Sequence, residues 1–322
     1  MKLSFFNSNQ LRLASACMAL LTASLLTSCS NTVEPASTDS NTVKPSAERT
    51  TGVFGNGVNL QPSYYNGGNC DLGWNLMNQN GNIRTVRIEV EPGQENNAKR
   101  WISEAKSNGK TVIVTYHKSS VLGSNSTTEL NNAANWWKNN YNSLGGGFTI
   151  NLINEWGDHN ITSNAYASAY NTAISTIRSV YSGRIIIDIP GWGQETRTAA
   201  EAVKGTNGTK INDSNIILSA HIYPGAYNQG RNRYMINADL DELAGAGRSC
   251  ILGEFGNSGG SGANWSGLVD YAKSKGWTVL AWAWAGDGGS MNMISPQFQG
   301  YTAGSPKTYT KSSYFNTAYG KL

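Results

Sequence analysis

Residues 148–156, Phe-Thr-Ile-Asn-Leu-Ile-Asn-Glu-Trp, form a largely apolar run that ends at the carboxylate of Glu155. Residues 250–256, Cys-Ile-Leu-Gly-Glu-Phe-Gly, repeat the pattern and place Glu254 near the end of a second run. Such runs are typical of strands that are buried on both faces of a parallel sheet. Because an ionised carboxylate next to a core is costly unless it is paired, the two acids predict a site at one end of a sheet.

The rest of the chain continues this alternation of apolar runs and helical stretches. Eight runs have the composition of buried strands: Val53–Leu60, Thr85–Val90, Thr111–His117, Phe148–Trp156, Arg184–Gly191, Ile216–Pro224, Cys250–Gly256 and Thr278–Ala285. Helical spacing of apolar residues occurs between them, at Asn96–Asn108, Glu129–Asn142, Ser163–Tyr181, Thr196–Lys204, Tyr234–Ala246 and Trp265–Lys275. A glycine follows four of these helical stretches, as a C-terminal cap would: Gly109, Gly183, Gly247 and Gly276.

Eight strand–helix units over about 270 residues predict a single α/β domain with the (β/α)8 TIM barrel fold. A doubly wound open sheet is the alternative. The even number of units favours the barrel, and no Gly-x-Gly-x-x-Gly pattern follows a predicted strand. We therefore expect the functional side chains to gather at the carboxyl ends of the strands.

Residues 1–28 have the pattern of a bacterial export signal. Lys2 and Arg12 accompany an apolar stretch, residues 13–26, that is too short to span a bilayer as a mature helix. The stretch leads into Leu26-Thr27-Ser28-Cys29, which resembles a lipobox and predicts lipidation of Cys29. The expected location is the cell envelope or surface, with the lipid as the only membrane contact. An ordinary signal peptide with an incidental cysteine, and hence secretion, is the alternative.

Residues 29–51 are rich in Ser, Thr, Asn and Pro and contain a short internal repeat. So few apolar side chains predict a disordered tether, and the predicted barrel domain follows it at residues 52–322. Only Cys70 and Cys250 remain in that domain. Export permits a disulfide, but the two cysteines are expected at opposite ends of the sheet, so the sequence leaves their pairing open.

Composition excludes several classes of protein. Charged residues make up 14% of the chain, compared with about 25% in average globular proteins. The formal net charge is +4, of which Lys2 and Arg12 carry two, and no basic run occurs, so we expect no nucleic-acid partner. Cys-x-x-Cys and EF-hand patterns are absent from the sequence, so we expect no metal or cofactor. We also expect a monomer.

Polar and aromatic residues gather where the predicted strands end. They are Arg87, Glu89 and Glu91; His117; Asn154, Glu155 and Trp156; Asp188 and Trp192; His221 and Tyr223; Glu254; and Trp282 and Trp284. Packing alone does not explain this clustering. Two carboxyl groups about 5–5.5 Å apart are the machinery of retaining glycoside hydrolysis, in which one is the nucleophile and the other is the acid and then the base. The 10 Trp and 15 Tyr residues also suit a protein that stacks aromatic rings on sugars.

This set of residues resembles glycoside hydrolase family 5, whose members are retaining (β/α)8 enzymes. The similarity lies in Asn154-Glu155-Trp156, Gly253-Glu254-Phe255-Gly256, Arg87, His117, His221-x-Tyr223 and Trp282-Ala283-Trp284. The resemblance implies that Glu155 is the acid and base and that Glu254 is the nucleophile. It also implies a substrate-binding set, consisting of Arg87, His117, Asn154, Trp156, His221, Tyr223, Trp282 and Trp284.

The chemistry sets further expectations for the site. Arg87 and Tyr223 are expected to lower the pKa of Glu254, whereas the charge of Glu254 is expected to raise the pKa of Glu155. Trp282 is favoured over Trp284 as the sugar-stacking ring. The other polar residues at strand ends are expected to do less: Asp188 is interpreted as structural, Glu89 and Glu91 as either substrate ligands or loop residues, and Trp192 as packing.

Within the family, the motifs are similar to those of bacterial endo-β-1,4-mannanases. They predict hydrolysis of mannan, glucomannan or galactomannan by double displacement. An endo-β-1,4-glucanase of the same family is the nearest alternative, because the catalytic set is shared. A surface glycan-binding lipoprotein that has lost turnover is the alternative from another class.

Overall fold

The computed structural model describes residues 53–322. The predicted signal peptide, the lipidation site Cys29 and the tether lie outside the described residues. Eight parallel strands close into a barrel: Gly57–Leu60 (β1), Thr85–Val90 (β2), Thr111–Tyr116 (β3), Thr149–Asn151 (β4), Ile185–Asp188 (β5), Ile216–Ile222 (β6), Ser249–Phe255 (β7) and Thr278–Ala285 (β8). Each strand pairs with its neighbours in sequence, and β8 pairs with β1.

A helix follows each strand. The α-helices of five or more residues are Trp74–Asn78 (α1), Glu95–Ser107 (α2), Thr127–Asn140 (α3), Ser163–Arg178 (α4), Thr196–Lys204 (α5), Asn237–Ala244 (α6), Trp265–Ser274 (α7) and Phe315–Tyr319 (α8). The predicted (β/α)8 barrel is therefore confirmed. Among these helices, none is both long enough and apolar enough to cross a bilayer.

The six predicted helices are present with ends that differ by up to three residues, and two helices went unpredicted. α1 and α8 contain five residues each, which is too short to show helical periodicity. Side-chain caps define the start of α3, where Ser126 accepts from the amide of Glu129, and of α4, where Thr162 accepts from Ala165. Of the four predicted cap glycines, Gly183 alone does not adopt a positive φ.

Three strands are shorter than predicted by four residues or more. β1 begins at Gly57, β4 covers only Thr149–Asn151, and β5 ends at Asp188. The apolar run after β4 misled the prediction because Leu152 and Ile153 are fully buried although they lie outside the strand. Glu155 and Glu254 consequently differ in setting, since Glu155 lies in an irregular segment and Glu254 lies within β7.

The amino ends of the strands are closed by apolar side chains. Inside the barrel, five of them form a separate buried cluster: Ile113, Ile186, Ile217, Ile251 and Leu280. Val53 and Phe54 pack against this cluster. The larger core lies between strands and helices. The barrel interior is accordingly filled at this end, and its polar side chains lie towards the carboxyl ends of the strands.

Candidate active site

Two acidic side chains meet at the carboxyl ends of the strands. A carboxylate oxygen of Glu155, one of Glu254 and a ring nitrogen of His221 all lie within 4.8 Å of one another. Glu155 and Glu254 are 9% and 4% exposed. Glu155 has a φ of 48°, a left-handed conformation that costs a non-glycine residue about 1–3 kcal/mol and that persists mainly at functional sites.

Glu254 is held by two donors. Arg87 Nη1 donates to Oε1 at 2.9 Å, and the hydroxyl of Tyr223 donates to Oε2 at 2.7 Å. These are the contacts that the sequence predicts, but the predicted low pKa does not result. Burial raises the pKa of Glu254, and the positive charges of His221 and Arg87 offset burial only in part.

Glu155 is held by one donor, His221, whose Nδ1 lies 2.8 Å from Oε1. Burial raises the pKa of Glu155, the hydrogen bond from His221 lowers it, and the charge of Glu254 raises it further. Burial also disfavours a charge on His221, but Glu254 and Asp188 outweigh burial and raise the pKa of His221 well above its ordinary value. Because Glu254 has one more donor than Glu155, Glu155 is the acid that takes a proton more easily.

Arg87 organises the floor of the site and is fully buried. Its guanidinium donates to six side chains: Asn59, Glu89, Asn151, Asn154, Asp188 and Glu254. Asp188 also accepts from the backbone amide of Glu155 at 3.1 Å, so it helps to fix the acid, in line with the structural role expected for it. Arg87 positions the carboxylates and does not line the cavity.

The position of Glu89 corrects the interpretation from the sequence, in which Glu89 was either a substrate ligand or a loop residue. Glu89 is fully buried, and Arg87 Nη1 donates to it at 2.9 Å. The two residues are two positions apart on β2, so both side chains point into the barrel. Glu91 follows the end of β2 and is half-buried.

A cavity of about 380 Å³ opens above the two acids. Six of the predicted site residues line it: His117, Asn154, Glu155, Tyr223, Glu254 and Trp282. His221 and Arg87 lie beneath it and are fully buried. The hydroxyl of Tyr64 lies 2.7 Å from Nδ1 of His117, and burial lowers the pKa of His117 to about 4, so its ring is neutral near neutral pH.

Two tryptophans predicted to bind substrate do not reach the cavity. Trp156 is fully buried against Tyr166 and Tyr170, and its indole donates to the carbonyl of Ser126. Trp284 is also fully buried, and it donates to the carbonyl of Leu72.

Strict alternation along β8 would place Trp282 and Trp284 on one face. The register with β1 shifts between Val58 and Leu60, so the alternation fails near the end of β8. Trp282 therefore faces the cavity, whereas Trp284 packs in the core.

Trp192, which the sequence analysis assigned to packing, lines the cavity and is 38% exposed. Its φ is 54°, and Gly191 and Gly193 on either side also have positive φ. A Cβ atom at Gly123 would lie 2.2 Å from the Trp192 ring, so the ring can lie there only over a glycine. The ring of His159, 5.2 Å away, supports Trp192. The sequence signal that could have revealed this exposed ring is the pair of glycines on either side of an aromatic residue that follows a strand.

The spacing of Glu155, His221 and Glu254 would also suit a metal ion. Each acid, however, already accepts a hydrogen bond from a protein donor: Arg87 and Tyr223 for Glu254, and His221 for Glu155. We therefore assign the cluster to acid–base chemistry.

The chain belongs to glycosyl hydrolase family 5, because the family model described as cellulase matches residues 72–288. Among curated proteins, it is similar to a mannan endo-1,4-beta-mannosidase of Streptomyces lividans, with 24% identity over 223 residues. That match covers 65% of this chain and 57% of the relative, so the chain spans a little over half of its length.

Solved structures share the fold. The catalytic domain of a mannanase from Streptomyces sp. SirexAA-E matches with a TM-score of 0.64 and 19% identity, over 89% of this chain and 95% of the other. The mannohexaose complex of a Thermomonospora fusca β-mannanase matches with a TM-score of 0.58 and 22% identity, over 75% and 86% of the two chains. The chain thus belongs to a family of glycoside hydrolases, and the proteins that it resembles include bacterial β-mannanases.

Proposed function

We propose that the protein is an endo-acting, retaining hydrolase of β-1,4-mannosidic bonds in mannan, glucomannan or galactomannan. The observation that carries this proposal is the pair of carboxylates, Glu155 and Glu254, whose nearest oxygens lie within 4.8 Å under an open cavity. Inverting enzymes need about 6.5–9.5 Å between the carboxyl groups to admit a water, so the short spacing supports retention. The similarity to mannanases supports the choice of mannan.

In the first step, Glu254 attacks the anomeric carbon while protonated Glu155 gives its proton to the glycosidic oxygen. The bond from the anomeric carbon to that oxygen breaks, the leaving chain departs as an alcohol, and an ester to Glu254 forms. Arg87 and Tyr223 orient the nucleophile through the hydrogen bonds at 2.9 and 2.7 Å.

In the second step, water attacks the anomeric carbon and Glu155, now ionised, takes its proton. The ester bond breaks and Glu254 leaves as a carboxylate. Forming the ester has removed the negative charge of Glu254, which is one of the causes that raise the pKa of Glu155. The pKa of Glu155 therefore falls when it must act as a base, as the double displacement requires.

The cavity offers contacts for a chain of sugars. Trp282 supplies an aromatic face beside the acids, and Trp192 supplies a second, more exposed face. Asn154, held by Arg87 Nη2, is placed to bond the 2-hydroxyl of the sugar at the cleaved bond. His117 lines the cavity as a further hydrogen-bonding group.

An endo-β-1,4-glucanase is the second candidate, because the matching family model is described as cellulase. The catalytic set is the same, and the two substrates differ in the direction of the 2-hydroxyl. A non-catalytic glycan-binding protein is the third candidate, but a pure binder gains nothing from keeping two like charges so close.

Reducing-sugar release from galactomannan, glucomannan and carboxymethyl cellulose, measured in parallel, tests the proposal. Strong release from galactomannan with none from carboxymethyl cellulose supports a mannanase. Release from the glucans alone moves the substrate to glucan. No release from any of them by the folded protein contradicts hydrolysis, and unchanged polysaccharide binding by Glu155→Gln then favours the binding protein.

We also propose that the protein is exported and held at the envelope by a lipid on Cys29. The support is the apolar stretch at residues 13–26 followed by Leu26-Thr27-Ser28-Cys29. Cys29→Ala should move the protein from the membrane fraction to the soluble fraction and abolish incorporation of labelled fatty acid. Membrane association that survives this substitution contradicts lipidation.

A further inference from the structure

A third acid lies beneath the carboxylate pair, and the double displacement does not use it. Glu89 is fully buried on β2 and does not line the cavity. Its Oε1 accepts from Arg87 at 2.9 Å, and its Oε2 accepts from Gln61 at 2.9 Å. A buried carboxyl group in contact with the machinery of the site calls for a role of its own.

Glu89 competes with the nucleophile for Arg87. The Nη1 nitrogen has two hydrogens but three acceptors at 2.9 Å, namely Asn59, Glu89 and Glu254. Asp188 contacts Nη2 at 3.3 Å, so one guanidinium faces three buried carboxylates. An uncompensated buried charge is expensive, and a proton on one of these acids relieves it.

The groups around Glu89 make it the acid that takes up this proton near neutrality. Burial raises the pKa of Glu89 to about 7, with Arg87 and Gln61 offsetting burial and the charge of Glu155 raising it further. The titratable and charged groups that face Glu89 are Arg87 on β2, Tyr64 after β1, His117 after β3, Glu155 after β4, His221 on β6, Tyr223 after β6 and Glu254 on β7.

A path for proton exchange links Glu89 to solvent. Nε2 of His117 lies 3.4 Å from Glu89 Oε2, and its Nδ1 lies 2.7 Å from the hydroxyl of Tyr64. Tyr64 is 43% exposed. A neutral His117 has one donor and one acceptor, so it can pass a proton between its two partners. Glu89 can therefore equilibrate with solvent although no part of it is exposed.

We propose that Glu89 is a positioning residue that shares Arg87 with Glu254 and extends the activity of the carboxylate pair to higher pH. This inference rests on the roles proposed for Glu155 and Glu254. As the pH rises through neutrality, Glu89 ionises and adds a negative charge beside the pair. The coupling between two acids is reciprocal, so the charge that Glu155 exerts on Glu89 is matched by the effect of Glu89 on Glu155. Ionised Glu89 thus keeps the proton on Glu155.

The effect is confined to one side of the pH profile. Below neutrality Glu89 is protonated and neutral, so Glu89→Gln, which is neutral and of the same shape, should leave the acidic limb of kcat/KM unchanged. Above neutrality the variant lacks the charge, so the alkaline limb should move to lower pH, by about one pH unit.

Glu91→Gln is the matched control, since it removes a half-buried carboxylate just beyond β2 and should move neither limb. An alkaline limb that stays in place in Glu89→Gln overturns the proposal. Both limbs moving together also overturns it, because Glu89 would then be ionised throughout.

Carbon-13 NMR of labelled glutamate carboxyl groups tests the titration without turnover. One resonance should titrate near neutral pH in the wild-type protein and be missing from Glu89→Gln, or from Glu89→Asp if the first variant does not fold. If no such resonance disappears, the proposal is wrong. Because this measurement needs no substrate, it separates failure of this inference from failure of the proposed hydrolysis.

Discussion

Arg87 Nη1 donates to Glu254 at 2.9 Å, although the two residues are 167 positions apart in the chain. The barrel brings them together because β2 and β7 both direct their carboxyl-end side chains into its interior. The same guanidinium also holds Asn154, the residue directly before Glu155. One buried cation therefore fixes both halves of the carboxylate pair.

Replacing Arg87 by Lys should impair the enzyme strongly. An ammonium cannot reproduce the planar array of donors that meets six acceptors, so buried acids lose their partner. We expect kcat to fall by about 10²–10³-fold and the free energy of unfolding to fall by about 3–5 kcal/mol. Arg197→Lys is the control, because the Arg197–Glu201 pair on α5 is largely exposed and should matter little. Wild-type rate and stability in Arg87→Lys would contradict the role of Arg87.

Glu155→Gln should show the leaving-group dependence of a missing acid. Hydrolysis of polysaccharide should fall by about 10²–10⁴-fold, because the leaving oxygen is no longer protonated. An aryl mannobioside with an acidic phenol needs no such proton and should still be cleaved in the first step. Glu254→Gln should lose both reactions. Pre-steady-state release of the phenol measures the difference, and equal loss with both substrates in Glu155→Gln would exclude it as the acid.

Substitutions of Trp282 and Trp284 should have different effects, the first on substrate binding and the second on stability. Trp282→Ala removes an aromatic face from the cavity and should raise KM for polysaccharide by about tenfold. Trp284→Phe loses the hydrogen bond to Leu72 and should lower the free energy of unfolding by about 1 kcal/mol with unchanged KM. Steady-state kinetics and thermal unfolding distinguish the two, and the reverse assignment of effects would refute the geometry of β8.

Glu89→Gln should change how stability depends on pH. Burial raises the folded pKa of Glu89 to about 7, so between its unfolded value and pH 7 the folded state binds the extra proton. In the wild type, the contribution of Glu89 to the free energy of unfolding is complete below its unfolded pKa. It is lost as the pH rises through the folded pKa. The free energy of unfolding of the variant should therefore increase relative to that of the wild type as the pH rises, by up to about 3 kcal/mol. Denaturant unfolding at several pH values measures this gain, and a constant difference would argue against it.

Cys70 and Cys250, whose pairing the sequence left open, are both free and buried. Burial raises the pKa of each thiol to about 12. A thiol reagent should therefore modify them only after unfolding, and a reducing agent should leave Tm unchanged. A Tm that falls on reduction would indicate a disulfide between them.

The barrel was predictable because its strands lie within apolar runs that recur along the chain with helical stretches between them. The carboxylate pair was predictable because acids at strand ends conflict with burial, as Glu155 and Glu254 do. Trp156 was misplaced because the apolar run continues after β4 has ended, and Trp284 because β8 does not alternate regularly to its end. These are tertiary effects that a one-dimensional pattern does not contain.

The burial of Glu89 could not be predicted from the sequence for a similar reason. Its neighbours on β2 show that it lies on the face of Arg87, but its partner Gln61 comes from a loop after β1. Trp192 was assigned to packing because a single aromatic residue near a strand end is usually buried. Its exposure depends on Gly123, a distant residue that leaves room for the ring.

The most direct test of the central claim is to trap the ester on the nucleophile. The protein is incubated with a 2-fluoro mannobiosyl substrate that carries a good leaving group. It is then digested with a protease, and the masses of the peptides are measured by mass spectrometry. The proposed mechanism predicts one added 2-fluoro mannobiosyl group, on Glu254, together with loss of activity. An adduct on another residue, or steady turnover of the unfluorinated substrate with inversion at the anomeric carbon, would contradict it.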